Sequence, residues 1–131
     1  MSRFVVDASA VLHLAKAGIE VPAKHKLLAP TLLRSQTLSA LHEAVQRGEI
    51  SADVARDHLA RIGRMPIRLL GDGVLRRRAW DLANQLGWAS TYNAEYVALT
   101  QLQADALVTL DADLARSVEG IVATASIEAL R

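Results

Sequence analysis

Two short apolar runs organise the chain. Phe4-Val5-Val6 and Ala106-Leu107-Val108-Thr109-Leu110 lack the alternation of a half-exposed strand. They predict strands buried on both faces. Each is followed directly by an aspartate, Asp7 and Asp111, and then by helix-forming residues. Asp7 caps a helix that Gly18 ends, as the preferences at helix termini dictate. Leu27-Leu28-Ala29 predicts another strand, and Pro30-Thr31 opens a long helix in which Leu38, Leu41 and Val45 share a face before Gly48 stops it. Ser51-Ala52-Asp53 starts the next helix, with Val54, Leu59 and Ile62 near one side, and Gly63 and Pro66 close it. Ile67 to Leu70 predicts a strand and Gly71-Asp72-Gly73 a turn. Helices follow from Val74 to Gly87, from Tyr92 to Gln103 and after Asp111, and Gly120-Ile121-Val122 predicts a last edge strand.

Strands alternating with helices define an α/β class, here an α/β/α sandwich around a mostly parallel sheet. The helix pair between Thr31 and Gly63 is too long for a minimal crossover and is expected to project as a helical hairpin. The 131 residues fit one domain over 1–131. A chain of this size buries roughly two thirds of the surface it exposes when unfolded. The absence of cysteine excludes a disulfide scaffold, Cys-type zinc sites and thiol catalysis. Hydrophobic residues at 51% and charged ones at 22% describe a folded protein, not a disordered tail. A net charge of +1 excludes a uniformly basic nucleic-acid binder but leaves room for a local patch. No apolar run approaches the roughly 18–20 residues of a membrane helix. Asp7 interrupts the apolar start before it can form a signal peptide, so the expected location is the cytoplasm.

The chemistry concentrates on Asp7 and Asp111. In open parallel sheets, sites form at the carboxyl ends of strands beside a topological switch point. Neighbouring strands lie about 4.8 Å apart, so two such aspartates can share one hard cation. Carboxylate oxygens suit Mg²⁺ or Mn²⁺. The competing reading is simple: aspartate is a favoured helix N-cap, and both residues begin helices.

Three motifs tilt the balance. Val5-Val6-Asp7-Ala8-Ser9-Ala10 resembles the opening of PIN domains. Tyr92-Asn93-Ala94-Glu95-Tyr96-Val97-Ala98-Leu99 is similar to their Tyr-Asp-Ala-x-Tyr-x-x-Leu segment, and Ala106 to Asp111 to their closing strand with its Thr-x-Asp ending. Their order and the chain length resemble VapC, the toxin of bacterial toxin–antitoxin pairs. That resemblance implies a Mg²⁺- or Mn²⁺-dependent ribonuclease that cuts RNA phosphodiesters. It also implies a homodimer neutralised by a small antitoxin protein lying in a groove near the helical hairpin. Asp7 and Asp111 match two of the family's acids, with Asp113 as an extra carboxylate. On this resemblance, Ser9 and Thr109 are expected to orient water or neighbouring groups.

Two positions depart from the pattern. Six residues after Pro30, where the family has a glutamate, stands Gln36, and the aspartate of Tyr-Asp-Ala is Asn93. The resemblance therefore implies a site of Asp7, Asp111 and Asp113 assisted by the amide oxygens of Gln36 and Asn93. Weaker metal binding is the expected direction, and a binding protein that has lost catalysis is the alternative. Asn93 also has a reading as an N-cap. Glu43, seven residues beyond Gln36, is about 10.5 Å further along the axis and lines a rim at most. Glu95, about 200° round its helix from Asn93, points elsewhere. Both are expected on solvated faces.

Arg76-Arg77-Arg78 and Arg61, Arg64 and Arg68 are candidate phosphate contacts, although three consecutive helical residues do not form one patch. Trp80, Trp88, Tyr92 and Tyr96 are expected in core or interface, and His13, His25, His42 and His58 show no ligand spacing. A helix-turn-helix around Gly48-Glu49-Ile50 would make the chain a DNA-binding regulator. Its second helix carries Asp53 and Asp57 against Arg56, His58 and Arg61, which is acidic for a recognition helix.

Overall fold

The computed structural model describes residues 2–131. Five strands form one all-parallel sheet: β1 (Ser2–Val6), β2 (His25–Pro30), β3 (Ile67–Leu70), β4 (Ala106–Val108) and β5 (Thr124–Ala125), in the order β3-β2-β1-β4-β5. The apolar runs fill its centre. Val5, Val6, Leu107 and Val108 are fully buried, as strands covered on both faces require. The register sets Val6 opposite Val108, and the Asp7 N–H donates to the Val108 carbonyl at 3.3 Å. Both strands thus end at the same level.

The order also locates the switch point. From β1 the chain builds outward through β2 to β3, then returns to place β4 on the other side of β1. The crevice beyond the carboxyl ends of β1 and β4 is where open α/β sheets bind their ligands.

Helices follow their predicted boundaries closely. These are α1 (Ala8–Ala17), α2 (Leu32–Gln46), α3 (Ala52–Arg64), α4 (Gly73–Leu86), α5 (Tyr92–Gln103) and α6 (Ala112–Ser117). Asp7, Ser51, Asp72 and Asp111 each cap one by accepting a backbone N–H. Helix α5 crosses β1, β2 and β4, and its Ala94 and Tyr96 to Thr100 are buried, so it is enclosed on nearly every side. Helix α4 packs along α5, and the α2–α3 hairpin rests against α1. Gly18 ends α1 in the left-handed region at φ 67°. The Arg61 guanidinium donates to the Ala15 carbonyl at 3.0 Å there, and a Cβ on Gly18 would lie 3.2 Å from it. Arg61 also pairs with Asp57, so this guanidinium fastens α3 to the end of α1 and is not a free phosphate contact.

Two features differ from the sequence reading. Gly120 to Val122 is not a strand. The N–H groups of Ile121 and Val122 both return to the Val118 carbonyl, at 2.9 and 3.2 Å, around Gly120 at φ 79°. The segment closes α6, and only Thr124–Ala125 reaches the sheet. Beyond it, a 3-10 turn over Ile127–Leu130 buries Ile127 and Leu130 in the core.

Candidate acidic site at the sheet switch point

Asp7 is the buried centre of the crevice, 7% exposed. Its carboxylate accepts three hydrogen bonds. Oδ1 takes the Ser9 hydroxyl at 2.6 Å and the Ala10 N–H at 3.0 Å, and Oδ2 takes the Thr109 hydroxyl at 2.5 Å. Ser9 and Thr109 come within 3.5 Å of each other across the β1–β4 seam. Each hydroxyl accepts in turn from the second loop: Leu110 N–H donates to Ser9 Oγ and Asp111 N–H to Thr109 Oγ1, both at 3.0 Å. Two hydroxyls, each both donor and acceptor, thus fix the loop after β4 against Asp7. Ser9 and Thr109, expected to orient water or neighbouring groups, both donate to the Asp7 carboxylate.

Asp111 is exposed and begins α6. Its Oδ1 accepts from the N–H groups of Asp113 and Leu114 at 3.0 and 3.1 Å. Its Oδ2 takes no hydrogen bond among the described residues. Asp113 is exposed on α6, where it pairs with Arg116.

The two amides lie on helices. Gln36 Oε1 accepts from the Tyr96 hydroxyl at 2.6 Å, joining α2 to α5. Burial, reinforced by the carboxylates of Asp7 and Glu95, pushes the Tyr96 phenol well above its ordinary pKa. Tyr96 therefore remains a hydrogen-bond donor, and its environment includes both acids. Asn93 is exposed, three residues before Tyr96 and so on the same side of α5. Thr91, not Asn93, occupies the cap position of that helix. The side chain of Asn93 makes no hydrogen bond among the described residues.

Among the described residues no group of three His, Cys, Asp or Glu is placed to hold a metal ion. The oxygen-bearing candidates are the carboxylates of Asp7 and Asp111, linked through Ser9 and Thr109, the amide of Gln36, held on Tyr96, and the amide of Asn93, exposed on α5. That set is all oxygen and fits a hard cation, since Mg²⁺ usually takes one or two carboxylates and completes its shell with water. It supplies less charge than a set of four acids.

Other candidates lie elsewhere. Glu43 is exposed on α2, accepting from Ser39 at 2.7 Å and pairing with Arg47. Glu95 is half-buried instead of solvated. It faces α4 and lines a cavity of 430 Å³ with Gly73, Arg76, Arg77, Ala79, Trp80 and Thr91. Burial raises its pKa, partly opposed by Arg76. Trp80 and Tyr92, expected in core or interface, are 64% and 58% exposed, whereas Tyr96 is in the core. The signal for Trp80 was present in the sequence. Leu75, Ala79, Leu82 and Ala83 form the buried stripe of α4, and Trp80 lies off it.

Comparison with protein-family models finds no match, and comparison with curated proteins finds none either. Solved structures do match. PAE2754 from Pyrobaculum aerophilum superposes with a TM-score of 0.73 at 24% identity, covering 98% of this chain and 93% of that one. VapC20 of Mycobacterium tuberculosis, described as a sarcin-ricin loop cleaving toxin, gives 0.60 at 16% identity, covering 87% and 94%. VapBC-1 from nontypeable Haemophilus influenzae gives 0.61 at 12% identity, covering 96% and 98%. The chain shares its α/β fold with these structures, and two of them, VapC20 and VapBC-1, make that fold VapC-like.

Two measurements test the local geometry. Thr109→Val removes the donor to Asp7 Oδ2 and is expected to lower the unfolding free energy by about 1–3 kcal/mol in urea titration. Glu95→Gln tests the burial of that carboxyl. Its folded pKa lies above its unfolded value, so its charge disfavours folding above the folded pKa, and that penalty vanishes below the unfolded one. The Gln variant should therefore unfold at higher urea than the parent at pH 7, and the gain should disappear as pH falls through the ordinary glutamate range.

Proposed function

We propose that the chain is a metal-assisted endoribonuclease of the VapC kind, the toxin partner in a toxin–antitoxin pair. The observation that carries this reading is the buried Asp7 carboxylate at the switch point, oriented by Ser9 and Thr109 from both sides of the β1–β4 seam. An isolated cap would not need a second strand's hydroxyl. Mg²⁺ or Mn²⁺ would be held by Asp7 and Asp111, with Asn93 and Gln36 offering neutral oxygens and Asp113 a carboxylate at the edge. Such an ion, when bound, supplies the charge that activates water and stabilises the leaving oxygen of a phosphodiester. The protein's part is to hold the acceptors still. Ser9 and Thr109 keep the Asp7 carboxylate in one orientation, and the Tyr96 hydroxyl does the same for the Gln36 amide.

Two partners belong to this proposal: an RNA substrate and a small antitoxin. The likeness to VapBC-1 supports the second. We also propose a homodimer acting in the cytoplasm. No helix among the described residues is long and apolar enough to cross a membrane. A second reading is a protein that keeps the fold and binds RNA or antitoxin without cutting. It is favoured by the oxygen of Gln36, already engaged by Tyr96 where an acid is expected.

The purified, antitoxin-free protein should cleave RNA with Mn²⁺ or Mg²⁺ and not with EDTA. Asp7→Ala should slow cleavage by about 100-fold or more, equal to about 2.7 kcal/mol of barrier. A folded parent no more active than that variant would leave the non-cutting reading in place. In calorimetric titration, Asn93→Asp should bind Mn²⁺ about tenfold or more tightly than the parent, since one added charge at 4 Å contributes several kcal/mol before solvation offsets it. Equal affinities would remove Asn93 from the metal site.

A further inference from the structure

The cavity between α4 and α5 is not part of the acidic crevice, and its lining is chemically specific. Arg76, Arg77 and Trp80 are spaced to share one face of α4. The indole of Trp80 is mostly in solvent, and the Arg77 guanidinium lies over Gly73, within 3.3 Å of where a Cβ would stand. Arg78 leaves this face to bond Gln101 of α5 at 3.1 Å. Opposite Arg76, Arg77 and Trp80 stands Glu95, half-buried, with neither a hydrogen bond nor an ion pair among the described residues. A half-buried carboxylate without a donor carries a desolvation cost that a ligand can recover. At 430 Å³ the space is open and large enough for a planar ring.

We propose that this cavity is a nucleobase subsite that selects guanine in single-stranded RNA, with Trp80 stacking on the base, Glu95 accepting from its Watson–Crick edge and Arg76 and Arg77 holding the adjoining phosphates. The chemistry selects the base. An ionised carboxylate only accepts, through two oxygens side by side. Guanine alone presents two adjacent donors, N1–H and the N2 amino group. Adenine and cytosine offer one amino group beside a ring acceptor, and uracil one N–H between two carbonyls. Stacking on an exposed aromatic tolerates any base, so Trp80 gives affinity and Glu95 gives choice. Guanidinium groups pair with phosphate without regard to sequence. Thr91 and Glu95, both on the cavity wall, flank Asn93 in sequence. The subsite therefore lies at the N-terminal end of α5.

This subsite rests on the reading that the protein binds RNA, but its test does not require cleavage. Fluorescently labelled short oligouridylate, with and without one central guanosine, is titrated by anisotropy with the full chain in EDTA at low salt. The guanosine-containing RNA is expected to bind about tenfold more tightly. Glu95→Gln should bring the two RNAs to the same Kd, because the amide offers one acceptor and one donor where two acceptors are needed. Arg77→Ala should weaken both RNAs alike and flatten their salt dependence. Equal binding of both RNAs by the parent, or a preference that survives Glu95→Gln, would overturn the proposal. So would a Trp80→Ala variant that changes the sedimentation of the protein and leaves RNA binding untouched, since that marks the face as a contact between copies. Guanosine preference without metal-dependent cleavage would sustain the subsite and remove the nuclease reading. Cleavage without guanosine preference would do the reverse.

Discussion

The Asp7 carboxylate is the constraint around which the crevice is built. A carboxylate buried at the end of a central strand must find donors, because leaving it unpaired costs several times what one hydrogen bond gains. Asp7 finds one on the backbone of its own helix and two on hydroxyls, of which Thr109 belongs to the loop after the neighbouring strand. That third bond gives the carboxylate a structural task beyond capping. It ties β1 to β4 where the sheet changes direction, and it presents the charge at the mouth of the switch point. Asp111 divides its oxygens in a similar way, one on the backbone of α6 and one without a donor among the described residues. Helix capping therefore leaves room for the proposed ligand binding at these two residues.

The neutral side chains at the other two positions fit the same electrostatic frame. The phenol of Tyr96 is buried, and the carboxylates of Asp7 and Glu95 raise its pKa further, so it stays a donor and needs an acceptor. Gln36 supplies one at 2.6 Å. A carboxylate there would accept the same bond but add a further negative charge to a region that already includes Asp7. Gln36 thus relieves repulsion in the metal-free protein and gives up attraction for a cation. The two effects have the same origin and opposite consequences, so on the proposed metal reading Gln36 would favour the apo fold at the expense of metal affinity.

Much of this was legible in the sequence. The buried strands β1 and β4 were visible as unbroken apolar runs, and α5 ran from Tyr92 to Gln103 as its residues indicated. Aspartates placed directly after those runs located the crevice. The two-residue strand β5 was not legible, because Ile121 and Val122 look like strand residues until their N–H groups are seen returning to Val118. Glu95 was only half legible. Its angle from Asn93 set it apart from that residue, but that it faces α4 in a half-buried cavity is set by how α4 packs on α5. Periodicity within one helix carries no information about its neighbour. The same limit applied to Arg61, whose guanidinium could be assigned to the end of α1 only once α3 was in place.

Helix α5 links both regions and fixes their spacing. It bears Tyr96, whose hydroxyl holds Gln36 and is subject to the carboxylate of Asp7, and Glu95, which faces α4 and also acts on that hydroxyl. Because Ala94 and Tyr96 to Thr100 are all buried against the sheet or its neighbours, the helix has no room to slide or turn. A groove built on mobile loops would let a bound chain shift by a nucleotide. A groove measured out along one enclosed helix would not. If RNA lies across the N-terminal end of α5, the distance from the base gripped beside Trp80 to the phosphate nearest Asp7 is set by the fold, and the position of a cut would follow from which base enters the α4–α5 cavity.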